Sequence, residues 1–207
     1  MTTRIVVLAS GNGSNLQALL DASADGRLNA SIVAVVSNNA DAFAHARAAN
    51  SGVPSLSVTK LPGETREQYD IRLGELVAAF EPHFVVLAGW MRILTMAFLS
   101  TFPNQVINLH PALPGEFPGT HAIERALAEH KQSGLTRTGV MVHYVPDERV
   151  DEGDVIASVE VQINPLDSLE TLEARVHAAE HALLVQALQQ LTQEQERNTP
   201  ATPEPNQ

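Results

Sequence analysis

Asn108 and His110 are the two residues whose types and spacing most directly suggest chemistry. They belong to the segment Val-Ile-Asn-Leu-His-Pro at residues 106–111. If residues 106–109 form a buried strand, its period of two puts both side chains on one face at its carboxyl end, where open α/β sheets carry their sites. An amide that stabilises negative charge, beside an imidazole that exchanges a proton near neutral pH, suits attack on a carbonyl carbon. A packed structural histidine is the alternative.

A second chemical feature is the glycine-containing loop of residues 10–15, which follows an apolar run and precedes a helical pattern. Glycines let the backbone approach a ligand closely, and the free N–H groups at a helix start bind anions. The loop predicts a site for a single phosphate, or else a purely structural turn, and Ser14 and Asn15 could also cap the helix. A dinucleotide is disfavoured because Leu16 replaces the third Rossmann glycine and Ser37-Asn38-Asn39 lacks a carboxylate.

The elements that must position these residues alternate between strand and helix patterns. Apolar runs predict strands at residues 5–9, 30–36, 55–58, 83–90, 106–109, 138–145 and 155–163, and helical patterns occupy residues 16–22, 42–49, 65–80, 122–130 and 168–192. Thr65 and Ser168 are suited to cap the helices that follow them. Such alternation predicts an α/β fold with an open, mostly parallel, twisted sheet and helices on both faces.

Several other residues could belong to a site but have plain structural interpretations. Gly89 and Trp90 end the most apolar run, and Met91 follows it; the three could line a slot for a flat heterocycle, although such residues are more often core. Arg66, in the first turn of a helix, has the position of a surface arginine. His143 on the predicted strand 138–145 has the position of a structural histidine.

The loop of residues 147–154 carries five carboxylates, and such loops are usually just solvated. Its spacing is not that of an EF-hand, so a metal site is disfavoured. If one of these acids folded back beside His110, it would favour the imidazolium and raise the pKa of His110. The bare sequence does not say which acid this is.

The carboxyl-terminal part of the chain divides into a helix and a tail. The amphipathic helix of residues 168–192 carries His177, Glu180 and His181, for which a charged, solvated helix face is the plain interpretation. Residues 193–207 are polar and proline-rich, which predicts a flexible tail. We therefore expect one domain over residues 1–192.

The composition excludes several functional classes. The chain has 207 residues and a formal net charge of −11, with 13 Lys plus Arg against 24 Asp plus Glu, so a nucleic-acid-binding face is disfavoured. An anionic ligand would need local help from a helix amino terminus or from one or two well-placed arginines. Cysteine is absent, which removes thiolate nucleophiles and disulfides. The first apolar run is too short to span a bilayer, and we expect a cytoplasmic protein that binds no membrane.

Three motifs that occur in a particular order along the chain indicate a protein family. They are Ser-Gly-Asn-Gly-Ser-Asn-Leu-Gln at residues 10–17, Leu-Ala-Gly-Trp-Met-Arg-Ile-Leu at 87–94, and Asn-Leu-His-Pro at 108–111 with Pro-Gly-Thr-His at 118–121. Together they strongly resemble the folate-dependent formyltransferase family, over about residues 5–188. The Asn-x-His-Pro motif marks the wider family, whereas the glycine loop and the length narrow the resemblance to the branch that formylates glycinamide ribonucleotide.

The resemblance implies transfer of a formyl group from 10-formyltetrahydrofolate, as co-substrate, to the primary amine of glycinamide ribonucleotide in purine synthesis, by a monomer or homodimer without a metal. It implies that Asn108 stabilises the oxyanion, that His110 donates a proton, and that Asp151 raises the pKa of His110 and relays the proton of the amine through water. It also implies that the substrate binds Gly13, Ser14, Asn15 and Glu180, and that the folate binds Arg66, Met91, Arg92, Ile93, Leu94 and Asn108.

The sequence departs from the commoner family pattern at three places. Trp90 replaces a Phe, Leu-Pro-Gly-Glu-Phe at residues 113–117 replaces a Leu-Leu-Pro run, and the loop containing Asp151 is one residue longer, so Asp154 is an alternative acid. Other functions also stay open: another enzyme that uses the formyl-folate, either a hydrolase or one with a different amine acceptor, or a nucleotide-binding module without catalysis. A nicotinamide oxidoreductase is disfavoured by the glycine loop.

Overall fold

A computed structural model describes residues 2–198 of the chain. Within them the strands are β1 (Thr3–Leu8), β2 (Ala30–Ser37), β3 (Ser55–Ser57), β4 (Phe84–Leu87), β5 (Val106–His110), β6 (Arg137–Tyr144) and β7 (Val155–Gln162). The helices are α1 (Ser14–Ala24), α2 (Ala44–Asn50), α3 (Arg66–Ala78), α4 (Met96–Leu99), α5 (Ala122–Ser133) and α6 (Leu169–Asn198). The short α4 is an element that the sequence patterns did not predict.

The seven strands form one sheet in the order β3-β2-β1-β4-β5-β6-β7. The strands from β1 to β5 pair in parallel, whereas β6 is antiparallel to β5 and β7 is antiparallel to β6. Because parallel strands share one edge for their carboxyl ends, the segments that follow β1, β4 and β5 meet at the same place. The predicted fold class, a mostly parallel open α/β sheet, is confirmed.

Helices cover both faces of the sheet, as the long apolar runs require. In β1 the buried side chains alternate between two cores: Ile5 and Val7 pack with α1, α2, α5 and α6, whereas Val6 and Leu8 pack with α3 and α4. A strand buried on both faces reads as a continuous apolar run rather than an alternating one. The central strands are therefore held between two helical layers.

Helix α6 is longer than the sequence predicts. Ser168 caps its start, since the Ser168 hydroxyl accepts a hydrogen bond from the backbone N–H of Thr171 at 3.2 Å. The helix continues to Asn198, so the prediction of a flexible tail is wrong for residues 193–198, which contain no glycine or proline to end it; residues 199–207 lie outside the described residues. Although α6 has 30 residues, neither it nor any other helix within residues 2–198 is long and apolar enough to cross a membrane.

Candidate active site

The carboxyl end of β5 carries Asn108 and His110, as the sequence predicts. The two side chains lie on the same face because they are two residues apart in a strand. His110 is 4% exposed, and Asn108 is half-buried. Both contribute to the wall of one cavity.

Asp151 is the acid that folds back against this pair. Its Oδ2 lies 3.2 Å from His110 Nδ1, and its Oδ1 accepts a hydrogen bond from Asn108 Nδ2 at 3.1 Å. The backbone N–H of Gly119 donates to Asp151 Oδ2 at 2.8 Å. Asp154, the alternative acid, is exposed, and its carbonyl oxygen accepts the hydrogen bond of the Tyr144 N–H. The structure therefore brings Asp151, and not Asp154, to the Asn108–His110 pair.

The sequence predicts a raised pKa for His110, and this prediction is wrong in its net direction. Burial lowers the pKa of His110, because the imidazolium loses its water; the charge of Asp151 and the carbonyl oxygen of Phe117 raise it, but do not compensate. His110 Nε2 lies 3.1 Å from that carbonyl oxygen, which can only accept, so Nε2 carries a proton. Asp151 has the predicted effect on His110, but the burial of the ring outweighs it.

Asp151 itself stays ionised. Burial would raise the pKa of Asp151, but the nearby His143 ring, whose Nε2 lies 3.5 Å from Asp151 Oδ1, the hydrogen bond from the Gly119 N–H and the charge of His110 together outweigh burial and lower it. A carboxylate that accepts several hydrogen bonds favours its charged form. The site therefore holds a buried anion beside the imidazole at neutral pH.

His143 belongs to the site, although the sequence reading treated it as structural. It stands opposite Asn108 in the antiparallel pairing of β5 and β6. His143 Nδ1 lies 2.8 Å from the carbonyl oxygen of Tyr144 and must donate to it, so in the neutral ring Nε2 accepts from Asn108 Nδ2 at 3.1 Å. The amide of Asn108 thus donates to both His143 and Asp151, which fixes its orientation.

The loop of residues 111–121 forms a wall beside the end of β5 and contains no helix or strand, as the sequence predicts. Arg125 of α5 holds this loop, because its Nη2 donates to the carbonyl oxygen of Phe117 at 2.5 Å. Leu113 is buried against β6, where a Cβ added at Gly139 would lie 2.4 Å from Leu113 Cδ2. The first residue of the segment 113–117 therefore packs on a glycine of β6.

A cavity of about 540 Å³ opens beside these residues, and the segment after β4 lines it. Trp90 is buried, whereas Met91 is 68% exposed at the mouth. The guanidinium of Arg92 stacks over the Tyr69 ring, with its carbon 4.3 Å from the ring centroid. The lining residues from this segment are Gly89, Trp90, Met91, Arg92, Ile93 and Leu94, and a largely apolar slot of this kind suits a flat heterocycle.

Arg66 contacts two residues that line the cavity, Ile93 and Glu148. It is the first residue of α3, which Thr65 caps with a capping box as predicted. Arg66 Nη2 donates to the carbonyl oxygen of Ile93 at 3.2 Å and lies 3.5 Å from Glu148 Oε2. Its side chain is half exposed, so the residue is a surface arginine that also contacts the cavity lining.

The glycine loop starts α1, close to the same segment. The backbone N–H of Ser10 donates to the carbonyl oxygen of Gly89 at 3.0 Å. Gly13 is the N-cap of α1 in the left-handed conformation, with φ 73°, which a residue with a side chain rarely adopts. No side chain caps this helix, so the idea that Ser14 and Asn15 cap it is wrong; they are its first two residues.

Glu180 of α6 does not lie on a solvated face. It is 5% exposed, and its Oε2 accepts from Asn15 Nδ2 at 3.4 Å, which joins α6 to the glycine loop. His177 Nδ1 lies 2.7 Å from the same oxygen, and this hydrogen bond raises the pKa of His177. His181 on the next turn is half-buried, and burial lowers its pKa. The helix therefore turns a polar cluster toward the predicted phosphate loop.

Within residues 2–198, no three His, Cys, Asp or Glu side chains form a group that could hold a metal ion. The chemistry that the residues of the site provide is an oriented amide, a buried imidazole and an ionised carboxylate beside a largely apolar cavity. This set suits attack on a carbonyl carbon, with stabilisation of the oxyanion and transfer of a proton.

The fold and this site are those of an enzyme that transfers a one-carbon acyl group. The family model described as formyl transferase matches residues 3–188, and the chain belongs to that family. It is 46% identical to the phosphoribosylglycinamide formyltransferase of Schizosaccharomyces pombe over 203 residues, which cover 92% of this chain and 98% of the relative. It is 43% identical to the trifunctional purine biosynthetic protein adenosine-3 of Drosophila pseudoobscura pseudoobscura, with 89% of this chain matching 13% of that protein.

A solved structure agrees with these relatives. The glycinamide ribonucleotide transformylase 1 of Symbiobacterium toebii superposes with a TM-score of 0.88 at 36% identity, covering 93% of this chain and 89% of that one. The resemblance found in the sequence motifs, and the fold expected from it, are both confirmed.

Proposed function

We propose that this chain transfers the formyl group of 10-formyltetrahydrofolate to the primary amine of glycinamide ribonucleotide in purine synthesis. The observation that carries the proposal is the double contact of Asp151, with His110 on one oxygen and Asn108 on the other, beside the cavity. Membership of the formyl transferase family supports the group that is transferred. The acceptor is the one after which the relatives described above are named.

The reaction begins when the amine nitrogen attacks the formyl carbon and the carbonyl electrons move onto oxygen. Asn108 donates a hydrogen bond to this oxyanion. When the intermediate collapses, the bond between the formyl carbon and the folate nitrogen breaks, and that nitrogen takes a proton from His110. The amine loses its proton through water to Asp151, which returns it to His110 across their 3.2 Å contact. The products are the formylated ribonucleotide and tetrahydrofolate.

The hydrogen bonds of Asn108 orient its amide group as a donor to the oxyanion. Its Nδ2 donates to both Asp151 and His143. The oxyanion takes over one of these bonds, and the other keeps the amide oriented. Preorganised donors of this kind lower the barrier without a reorganisation cost at the moment of reaction.

We assign the two substrates to neighbouring regions. The phosphate of the ribonucleotide binds the amino terminus of α1, where backbone N–H groups and the helix dipole favour an anion, and Glu180 contacts the ribose or the amine. The ring of the folate enters the cavity, which supplies an apolar slot of about 540 Å³. The substrate-binding residues are then Gly13, Ser14, Asn15 and Glu180, and the folate-binding residues are Arg66, Met91, Arg92, Ile93, Leu94 and Asn108.

The experiment that tests this function mixes the purified protein with 10-formyltetrahydrofolate, with and without glycinamide ribonucleotide. Folate absorbance and the mass of the ribonucleotide are followed together. We expect both to change only when both substrates are present. Folate turnover without the acceptor would indicate a hydrolase, and no turnover in either mixture would indicate a binding module without catalysis.

Three further statements stay predictions. The chain is expected to form one catalytic domain over residues 1–192, to act in the cytoplasm, and to be a monomer or a homodimer. Sedimentation at the concentration used in the assay distinguishes the last two states.

A further inference from the structure

Arg47 of α2 is bound to the glycine loop by its whole guanidinium group. Its Nε donates to the carbonyl oxygen of Asn12 at 2.8 Å, and its Nη2 donates to Asn12 Oδ1 at 2.9 Å. Its Nη1 donates to Gln17 Oε1, on the first turns of α1, at 3.1 Å. Arg47 thus joins the loop to the helix that the loop starts, and all three acceptors are neutral.

The rest of α2 holds the loop from the same direction. The backbone N–H of Ala44 donates to the carbonyl oxygen of Gly11 at 3.2 Å, and a Cβ added at Gly13 would lie 3.0 Å from Ala44 Cβ. Two successive carbonyl oxygens of the loop are therefore occupied by α2. In contrast, the backbone N–H groups of Gly13, Ser14 and Asn15 meet no protein acceptor within residues 2–198.

The positive charge of Arg47 is not cancelled by a carboxylate. Among residues 2–198, no Asp or Glu forms an ion pair with it, although the chain as a whole has a formal net charge of −11. The guanidinium carbon lies 4.9 Å from the centre of the Phe43 ring, which keeps the group in place without neutralising it. Its charge reaches α6: burial lowers the pKa of His181, and Arg47 is one of the cations that lower it further.

We propose that Arg47 is a positioning residue for the phosphate of the substrate. It locks the loop so that the N–H groups of Gly13, Ser14 and Asn15 stay free to bind the anion, and its uncompensated charge offsets the negative field of the chain. This inference rests on the proposed function, because it takes the loop as the phosphate site. In a chain of net negative charge an anionic ligand needs a well-placed arginine, and Arg47 is such a residue. No sequence motif identifies it.

The test compares two ligands that differ only in the phosphate, glycinamide ribonucleotide and glycinamide riboside, by calorimetry in the absence of folate. In Arg47→Met we expect affinity for the ribonucleotide to fall about 10- to 100-fold, the range for loss of one interaction with a charged group. Affinity for the riboside and the KM for formyl-folate should not change. Arg27→Met is the matched control, because Arg27 borders the same side of α1 but is paired with Asp25 at 2.7 Å.

A second variant separates charge from geometry. Arg47→Lys keeps the charge but cannot reproduce three hydrogen bonds in a planar fork, so it should recover only part of the lost affinity. Complete recovery would overturn the positioning role, and so would an equal loss for both ligands in Arg47→Met, or no loss for either. If Arg47→Met fails to fold in a thermal scan, the lysine variant carries the comparison by itself.

The two proposals fail differently. Wild-type protein that binds the ribonucleotide more tightly than the riboside but forms no formylated product would refute the proposed function and leave the role of Arg47 intact. Wild-type protein that does not distinguish the two ligands would overturn the role of Arg47, whatever the turnover.

Discussion

Replacing Asp151 with Asn removes a negative charge that lies 3.2 Å from His110 Nδ1 and keeps the shape of the side chain. Burial lowers the pKa of His110, and Asp151 is the largest influence that opposes it. Without the carboxylate, only the backbone hydrogen bonds to Phe117 and Glu116 still oppose burial, so the pKa of His110 must fall further. An opposite charge within hydrogen-bonding distance favours the imidazolium, so its removal favours the neutral ring.

The direction of the effect on activity follows from the proposed role of His110 as a proton donor. The protonated form is present below its pKa, so kcat/KM should fall as pH rises through that value. In Asp151→Asn this decline should move to lower pH, because the removed charge favours the imidazolium. Below the decline, the variant should also turn over more slowly, since the amine loses its proton acceptor.

The assay is an NMR titration of the His110 ring in the ligand-free protein, together with the pH profile of a single turnover. We expect the pKa of His110 in the wild type to lie below the unperturbed value of about 6.5, and to be lower still in Asp151→Asn. Asp154→Asn, an exposed change in the same loop, should leave the titration unchanged. An unaltered titration in Asp151→Asn, or an equal shift in both variants, would refute the pairing.

Four other substitutions test separate features of the molecule. Asn108→Ala should lower kcat about 100- to 1,000-fold in steady-state assays, and a loss confined to KM would contradict the oxyanion role. Gly153→Ala should lower both turnover and the free energy of unfolding, the latter by about 1–3 kcal/mol, because the new Cβ would lie 1.7 Å from the Tyr144 carbonyl oxygen. In Gly74→Ala, by contrast, the new Cβ would lie 3.6 Å from its nearest neighbour, Thr101 Oγ1, so this variant should stabilise α3 by about 0.5–1 kcal/mol in urea unfolding without loss of activity. A Gly74→Ala protein that is less stable than Gly153→Ala would refute the packing argument. His177 has a pKa raised by its hydrogen bond to a buried carboxylate, so its stabilising contribution is complete below the unfolded pKa and disappears as pH rises through the raised value. His177→Ala should therefore destabilise the protein by under about 1 kcal/mol in acid and less above neutral pH, and a pH-independent difference would be inconsistent with the pair.

The placement of Asn108 and His110 was predictable because its signal is local. A strand places every second side chain on one face, so the two-residue spacing of Asn108 and His110 puts both side chains on the same face, whatever the rest of the fold. The sheet class follows for a similar reason, since long apolar runs such as residues 83–88 occur in strands buried on both faces. Both features depend on neighbours within a few residues.

The partners of that pair depend on contacts between distant segments. His143 reaches Asn108 only through the antiparallel register of β5 and β6, which no pattern in the sequence specifies. The residues alone left the identity of the acid open, and the choice of Asp151 came from the family motif. The loop that carries it depends on Gly153, which packs where a side chain would collide with Tyr144.

The error about the pKa of His110 has a related cause. The sequence identifies a charge that could stand beside the ring, but it does not give the loss of solvent around the ring, and here burial is the larger influence. The contact of Arg47 with the glycine loop could not be predicted for a similar reason. Arg47 lies more than thirty positions from that loop in the sequence, and the two meet only because α2 packs on α1.

The central claim is that the formyl group passes from the folate to the amine of the ribonucleotide on this protein. The most direct test is a single turnover with an isotopically labelled formyl group on the folate and excess glycinamide ribonucleotide, with the label followed by mass spectrometry. We predict that the label appears on the ribonucleotide at the rate at which tetrahydrofolate forms, and that Asn108→Ala slows both equally. Label released as free formate while the ribonucleotide stays unmodified would contradict it.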